Sequence, residues 1–248
     1  MTPVSKMFAP WIKHFAGPAG PHRGAIVVFP HAGGAAAGYR KLGTAFSAVS
    51  DTYIVQYPQR AERLPDPAPE TVRELALGLF KAGAWRQVAP LRLFGHSMGA
   101  VVAFEFARIA ESQPVAVQKL WVSAGPVPSH VATLPDLPTN DEELLADLAD
   151  LGGTDPRLLA DEEFAELVTI AARADYEVFN RYECAPGVRI RADIHAICGR
   201  DDHRIDVNSL RRWADHTEGA FDLSFFDGGH FYVNEHINTL ANRVITDV

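Results

Sequence analysis

The chain has 248 residues, 47% hydrophobic and 22% charged, a composition that excludes intrinsic disorder and suits one substantial domain or two small ones. Its 31 acidic residues against 23 basic give a net charge of −8 with no basic run, which argues against nucleic-acid binding through phosphate contacts. Cys184 and Cys198 make neither a disulfide framework nor a zinc spacing, MTPVSKMFAPWIKHF lacks a signal peptide's apolar stretch, and no run approaches 18 apolar residues. The expectation is a soluble, cytoplasmic protein that does not bind a membrane.

Short, nearly continuous apolar runs recur along the chain at Ala25–Phe29, Tyr53–Tyr57, Leu91–Phe94, Leu120–Ser123, Ile194–Cys198 and Leu223–Phe226, with Trp11–Phe15 as a candidate edge strand. Continuous rather than alternating apolarity predicts strands buried on both faces. Between them, 71–88 carries one apolar face at a period of 3.6, and Met98–Ala110 is apolar nearly all round. Strands alternating with helices predict an α/β fold with a mostly parallel, doubly covered sheet. The rhythm breaks between about 130 and 190, where Asn140–Asp150 and Asp161–Arg181 read as helices with no strand between them. A helical insertion of that length reads as a lid over a site; the plainer alternative is that it covers one sheet edge.

Gly95-His96-Ser97-Met98-Gly99 follows a strand and opens a helix, the setting of a G-x-S-x-G nucleophile elbow. Side chains two residues before and after the serine would strike neighbouring backbone, so glycine fills both places. A glycine-rich turn with an incidental serine is the alternative. A serine nucleophile needs a base, and the base needs an orienting group, arranged in chain order Ser…Asp…His in hydrolases of this type. The strand over 194–198 ends in Gly199-Arg200-Asp201-Asp202 and that over 223–226 ends in Asp227-Gly228-Gly229-His230, both at the strand ends where open α/β sheets carry sites.

Ten histidines are present. His14 and His22 precede the core, His216 and His236 fall in helical patterns, and His195 is expected to be a satisfied core residue. His96 adjoins the serine on a tight turn that directs it elsewhere. His230 alone follows a strand through a Gly-Gly loop in the required order. Asp202 has the G-x-x-D spacing from Gly199, whereas Asp201 suits a cap of the following turn; both stay open. Oxyanion donors are expected at the Met98 N–H and, from Pro30-His31-Ala32-Gly33-Gly34, at the Ala32 N–H, with His31 shaping that loop.

Together "VVFPHAGGAAAGY", "YPQRAERL", "LFGHSMGAVVAFEFAR", "GRDDH" and "FDGGHFYV" resemble the type II thioesterases that accompany polyketide and nonribosomal peptide synthetases. The resemblance spans almost the whole chain. It implies a single α/β-hydrolase domain over 1–248 with a helical lid at about 130–190, a triad of Ser97, Asp202 and His230, and oxyanion donors at Ala32 and Met98. It further implies acyl thioesters on the phosphopantetheine arm of acyl or peptidyl carrier proteins as substrates. No cofactor or metal of its own is implied, and a monomer is expected. Two positions depart from the family: Gln59 stands where glycine is common, and His203 where proline is common.

Leu144, Leu145, Leu148, Phe164, Leu167 and Phe179 are candidate walls of an acyl chamber, though any helix pair buries such residues. Carrier proteins are usually acidic, as this chain is, so attraction would need a local basic patch; Arg60 and Arg63 are the candidates, with plain solvated surface as the alternative. Competing functions are a general carboxylesterase or an acyltransferase, and, from another class, a non-catalytic carrier-binding module.

Overall fold

Ala25–Phe29 offers no polar position on either face, so it is stable only between two apolar layers. The computed structural model, which describes residues 8, 10–19, 24–154 and 156–246, provides them. Seven strands form one sheet: β1 (Ile12–Phe15), β2 (Ala25–Phe29), β3 (Asp51–Val55), β4 (Leu91–His96), β5 (Val117–Ser123), β6 (Asp193–Gly199) and β7 (Phe221–Phe226), in the order β1-β3-β2-β4-β5-β6-β7. β1 pairs antiparallel with β3 at one edge, and every other pairing is parallel. The side chains of β2 alternate between two cores. Ala25, Val27 and Phe29 enter one, and Ile26 and Val28 enter the other.

The helices of seven residues or more among the described residues are α1 (Arg40–Phe46), α2 (Val72–Lys81), α3 (Met98–Glu111), α4 (Asp141–Leu151), α5 (Glu162–Asn180) and α6 (Ile237–Thr246). α2 and α3 pack on the first face, and α1 and α6 on the second. His236, expected within a helical pattern, lies just before α6 rather than in it. His22 lies outside the described residues, as do positions 1–7 and 9 of the N-terminal segment.

The helix expected over 71–88 is two pieces, α2 and a turn at Trp85–Val88. Gly83 sits at the break, where an added Cβ would lie 2.6 Å from the Phe8 ring and 2.7 Å from Trp85, so the two rings close over a backbone without a side chain. The segment just before β6 stays outside the sheet. Ile190 makes only an isolated bridge with Thr217, because the Arg191 and Ala192 amides donate to the Glu111 carboxylate at 2.7 and 2.9 Å rather than to a strand.

The 130–190 region is helical, as expected. A 3-10 turn at Pro128–Thr133 leads to α4, a single turn at Pro156–Leu159 and then α5. Local chemistry sets these ends: the Asn140 side chain accepts from the Glu143 amide, Gly152 ends α4 at φ 74°, and Asp161 accepts from the Phe164 amide.

Leu93 is fully buried at the centre of β4. Replacing it with alanine removes apolar burial and leaves a cavity, so Leu93→Ala is expected to lower unfolding free energy by ~2–5 kcal/mol, read from urea denaturation.

Candidate active site

The carboxyl ends of five parallel strands, β2, β4, β5, β6 and β7, converge on one cavity of about 390 Å³, lined among others by His31, Ala32, Ser97, Met98 and His230. The sharpest constraint is at the end of β4. Ser97 stands between strand and helix at φ 55° and ψ −126°, a region L side chains rarely adopt. A Cβ on Gly95 would lie 2.4 Å from the Gly99 carbonyl oxygen, and one on Gly99 would lie 2.2 Å from the Phe29 carbonyl oxygen. Both contacts are with main chain, which cannot swing aside. The two glycines are therefore obligatory, and the turn lifts the Ser97 side chain to the N-terminus of α3, where the Met98 amide has no intrahelical acceptor.

β6 and β7 deliver the second pair. A Cβ on Gly199 would lie 2.3 Å from both the Gly228 and Gly229 carbonyl oxygens, so glycine lets the two loops touch. Across that contact the Asp201 amide donates to the Gly228 oxygen at 3.0 Å, and Asp202 Oδ2 lies 2.9 Å from His230 Nδ1. Asp202 is thus the carboxylate beside His230, while Asp201 is exposed. Burial by itself would raise the Asp202 carboxyl. The His230 hydrogen bond and charge, the Arg204 amide and the Cys198 thiol outweigh burial and hold it below the usual carboxylate range.

Two further histidines surround His230. The His96 ring centroid is 5.2 Å from that of His230 and 6.0 Å from that of His31. His96 is therefore not turned away from the site; its Nδ1 lies 2.9 Å from Ser123 Oγ while its ring packs on His230. Burial, then the facing His230 and Arg60, push His31 down to about 3, and burial with the other two histidines carries His96 well below its ordinary value. Both are neutral at pH 7. His31 braces the loop after β2, its Nδ1 2.6 Å from the Tyr39 hydroxyl and its amide donating to the same oxygen at 3.1 Å.

Four further histidines have structural partners. His195 stacks on Trp121 at 4.3 Å and bonds Ser224 Oγ, and His216 bonds Ser129 Oγ and the Val188 carbonyl. His14 pairs with Asp51, and His236 Nε2 lies 3.0 Å from the Asp227 carbonyl.

The chamber wall differs from the helical expectation. Leu148 and Phe179 line the cavity, but Leu144, Leu145, Phe164 and Leu167 do not. Leu144 is fully buried in the core and Leu167 is 51% exposed, so helical periodicity marked apolar faces without telling which faced the cavity. Val131, Leu137, Ile205 and Phe231 complete much of the apolar lining and come from connecting segments that carry no periodic signal.

Arg60 and Arg63 form no surface patch. Arg60 is 6% and Arg63 4% exposed, the first paired with Asp175, the second bonded to Asp66 and the Gln56 carbonyl and lying 3.7 Å over the Trp11 ring. Gln59 has φ 65°, which explains why glycine suits this position; its side chain donates to the Asp66 carbonyl instead. His203 bonds Asp150 at 2.8 Å, and Arg204 bridges Asp147 and Asp150, tying the Asp202 loop to α4.

A mostly parallel sheet flanked by helices, with a serine on the strand-to-helix turn of β4 and an Asp–His pair on the loops after β6 and β7, defines the α/β-hydrolase fold. Within it, the chain belongs to the thioesterase family: the thioesterase domain model matches residues 25–248. It is 55% identical over 247 residues to phenyloxazoline synthase MbtB of Mycobacterium tuberculosis, covering 99% of this chain but only 17% of that protein. It is 36% identical to thioesterase PikA5 of Streptomyces venezuelae, over 94% of this chain and 84% of PikA5. The solved structure of the type II thioesterase BorB from the borrelidin biosynthetic cluster aligns with TM-score 0.82 at 38% identity, over 95% of this chain and 96% of BorB.

A carboxyl held low in the folded state contributes stability that is present above its unfolded value of ~3.9 and lost as pH falls through the folded value. The stability gap between the native protein and Asp202→Asn should therefore be widest near neutral pH and narrow below pH ~4, measured as urea midpoints across that range.

Proposed function

We propose that the chain hydrolyses acyl thioesters carried on the phosphopantetheine arm of acyl or peptidyl carrier proteins, through an acyl-enzyme on Ser97. The observation that carries the reading is the 2.9 Å His230–Asp202 hydrogen bond opening on the same cavity as the strained Ser97 turn. Ser97 Oγ attacks the thioester carbonyl and His230 takes its proton through Nε2. Asp202 holds Nδ1–H, which fixes the tautomer and stabilises the imidazolium. The Ala32 and Met98 amides receive the developing oxyanion. His230 then protonates the departing thiolate, a good leaving group, and afterwards activates the water that frees the acid. Neutral His31 and His96 add no positive charge beside the forming imidazolium.

The segment from about 130 to 190 serves as the lid. α4 and α5 contribute Leu148 and Phe179 to the cavity wall, and the Arg204 bridge to Asp147 and Asp150 latches α4 beside the Asp202 loop. The likeness to BorB and PikA5 supports a type II editing role, clearing aberrant or stalled acyl groups in polyketide or nonribosomal peptide synthesis. The 55% identity to a segment of MbtB favours a second reading, release of a finished product from a synthetase. Both readings use the same chemistry on different acyl groups.

The test is a hydrolysis panel of short and long acyl groups on one carrier protein, beside oxygen esters of the same chains. The expected result is a kcat/KM for carrier thioesters well above that for the esters; preference for the esters would overturn the thioesterase reading in favour of a carboxylesterase. Ser97→Ala should abolish turnover, and Asp202→Asn should reduce kcat on the order of 10³–10⁴-fold with the fold retained.

A further inference from the structure

We propose that Asp175 of α5 and Arg60 are positioning residues for this reaction, aiming the Ala32 N–H at the oxyanion. Asp175 is 3% exposed and lies 142 residues along the chain from the loop it touches. Its Oδ2 accepts the Gly33 N–H at 2.7 Å and Arg60 Nη1 at 2.7 Å, and its Oδ1 accepts Arg60 Nη2 at 2.7 Å. Arg60 also donates to the Gly34 carbonyl at 3.1 Å and, through Nε, to the Pro58 carbonyl at 2.9 Å. One buried ion pair therefore joins the 58–60 segment, the loop after β2 and α5.

The geometry points to aim rather than to stability alone. Ala32 stands between two amides whose directions are both fixed: His31 N–H donates to the Tyr39 hydroxyl and Gly33 N–H to Asp175. With the flanking peptides pinned, the Ala32 N–H has little freedom to turn. Gly33 takes φ 74°, and a Cβ there would lie 3.1 Å from that of Ala172, one turn before Asp175, so α5 seats directly on the loop. A buried ion pair is a poor source of stability, since apolar side chains of similar volume often replace one without loss. What they do not replace is an acceptor for the Gly33 amide.

The inference rests on the acyl transfer proposed for Ser97 and is tested apart from it. Asp175→Asn keeps the volume and one acceptor oxygen but loses the charge. The double variant Arg60→Met/Asp175→Leu removes the acceptor with no charge left buried alone. Each is measured for melting temperature, for kcat and KM on a carrier thioester, and for the rate at which a fluorophosphonate labels Ser97. In the double variant, kcat and labelling are expected to fall ~10–100-fold with KM changed less than ~3-fold, because a misaimed donor is lost mainly to the transition state, whereas Asp175→Asn, whose amide oxygen still accepts the Gly33 N–H, should lose less. The double variant should do so while melting near the native protein, a split that a purely structural role would not produce. Native-like kcat in the folded double variant would overturn the proposal.

A second measurement needs no variant. In the native protein the Gly33 amide proton should resonate far downfield and be protected from exchange, and an ordinary, rapidly exchanging amide would equally overturn it. Failure of the native protein to hydrolyse thioesters or to take the phosphonate on Ser97 would instead defeat the functional reading, with the Gly33 resonance still judging the clamp.

Discussion

Holding a serine at φ 55° between a strand and a helix costs on the order of 1–3 kcal/mol, and such a conformation lasts only where the surroundings over-determine it. Here the surroundings are main-chain atoms. The Gly99 carbonyl closes on Gly95, and the end of β2 closes on Gly99, each too near for any side chain. The Ser97 amide meanwhile donates to the Ser123 carbonyl at 2.8 Å, so β5 holds the turn from its other side. Most of the site follows from that one turn. The serine side chain has nowhere to go but into the cavity, and α3 begins where negative charge would form.

Electrostatics sorts the three clustered histidines. Rings at 5–6 Å cannot all carry charge in a buried setting without large repulsion. Burial keeps His31 and His96 neutral, and each has a hydroxyl partner, Tyr39 and Ser123 respectively. His230 alone has a carboxylate, and only there is a positive charge compensated. What distinguishes the three rings is the partner each one meets.

The elbow was legible in the chain because it is local: strand, two glycines, serine and helix lie within a few residues. His230 was legible because strand ends in a parallel sheet face one way, so order along the chain reports position in space. Asp201 and Asp202 differ by one residue and had to wait for the contact between the Gly199 and Gly228 loops. The buried pair of Arg60 and Asp175 was invisible, since 115 residues separate its members and an arginine beside a cleft reads as surface. The chamber wall was legible only in part. An apolar helix face reports that something is covered, and Leu144 shows that the cover can be core rather than cavity.

The proposed turnover passes through a covalent bond to one hydroxyl, and rapid-quench mass spectrometry of the protein mixed with an acyl-carrier thioester observes that bond directly. Within the first turnover the peptide containing Ser97 should gain the mass of the acyl group and then lose it as free acid appears. Acid released at full rate with that peptide never acylated, or with the acyl group on another residue, would contradict it.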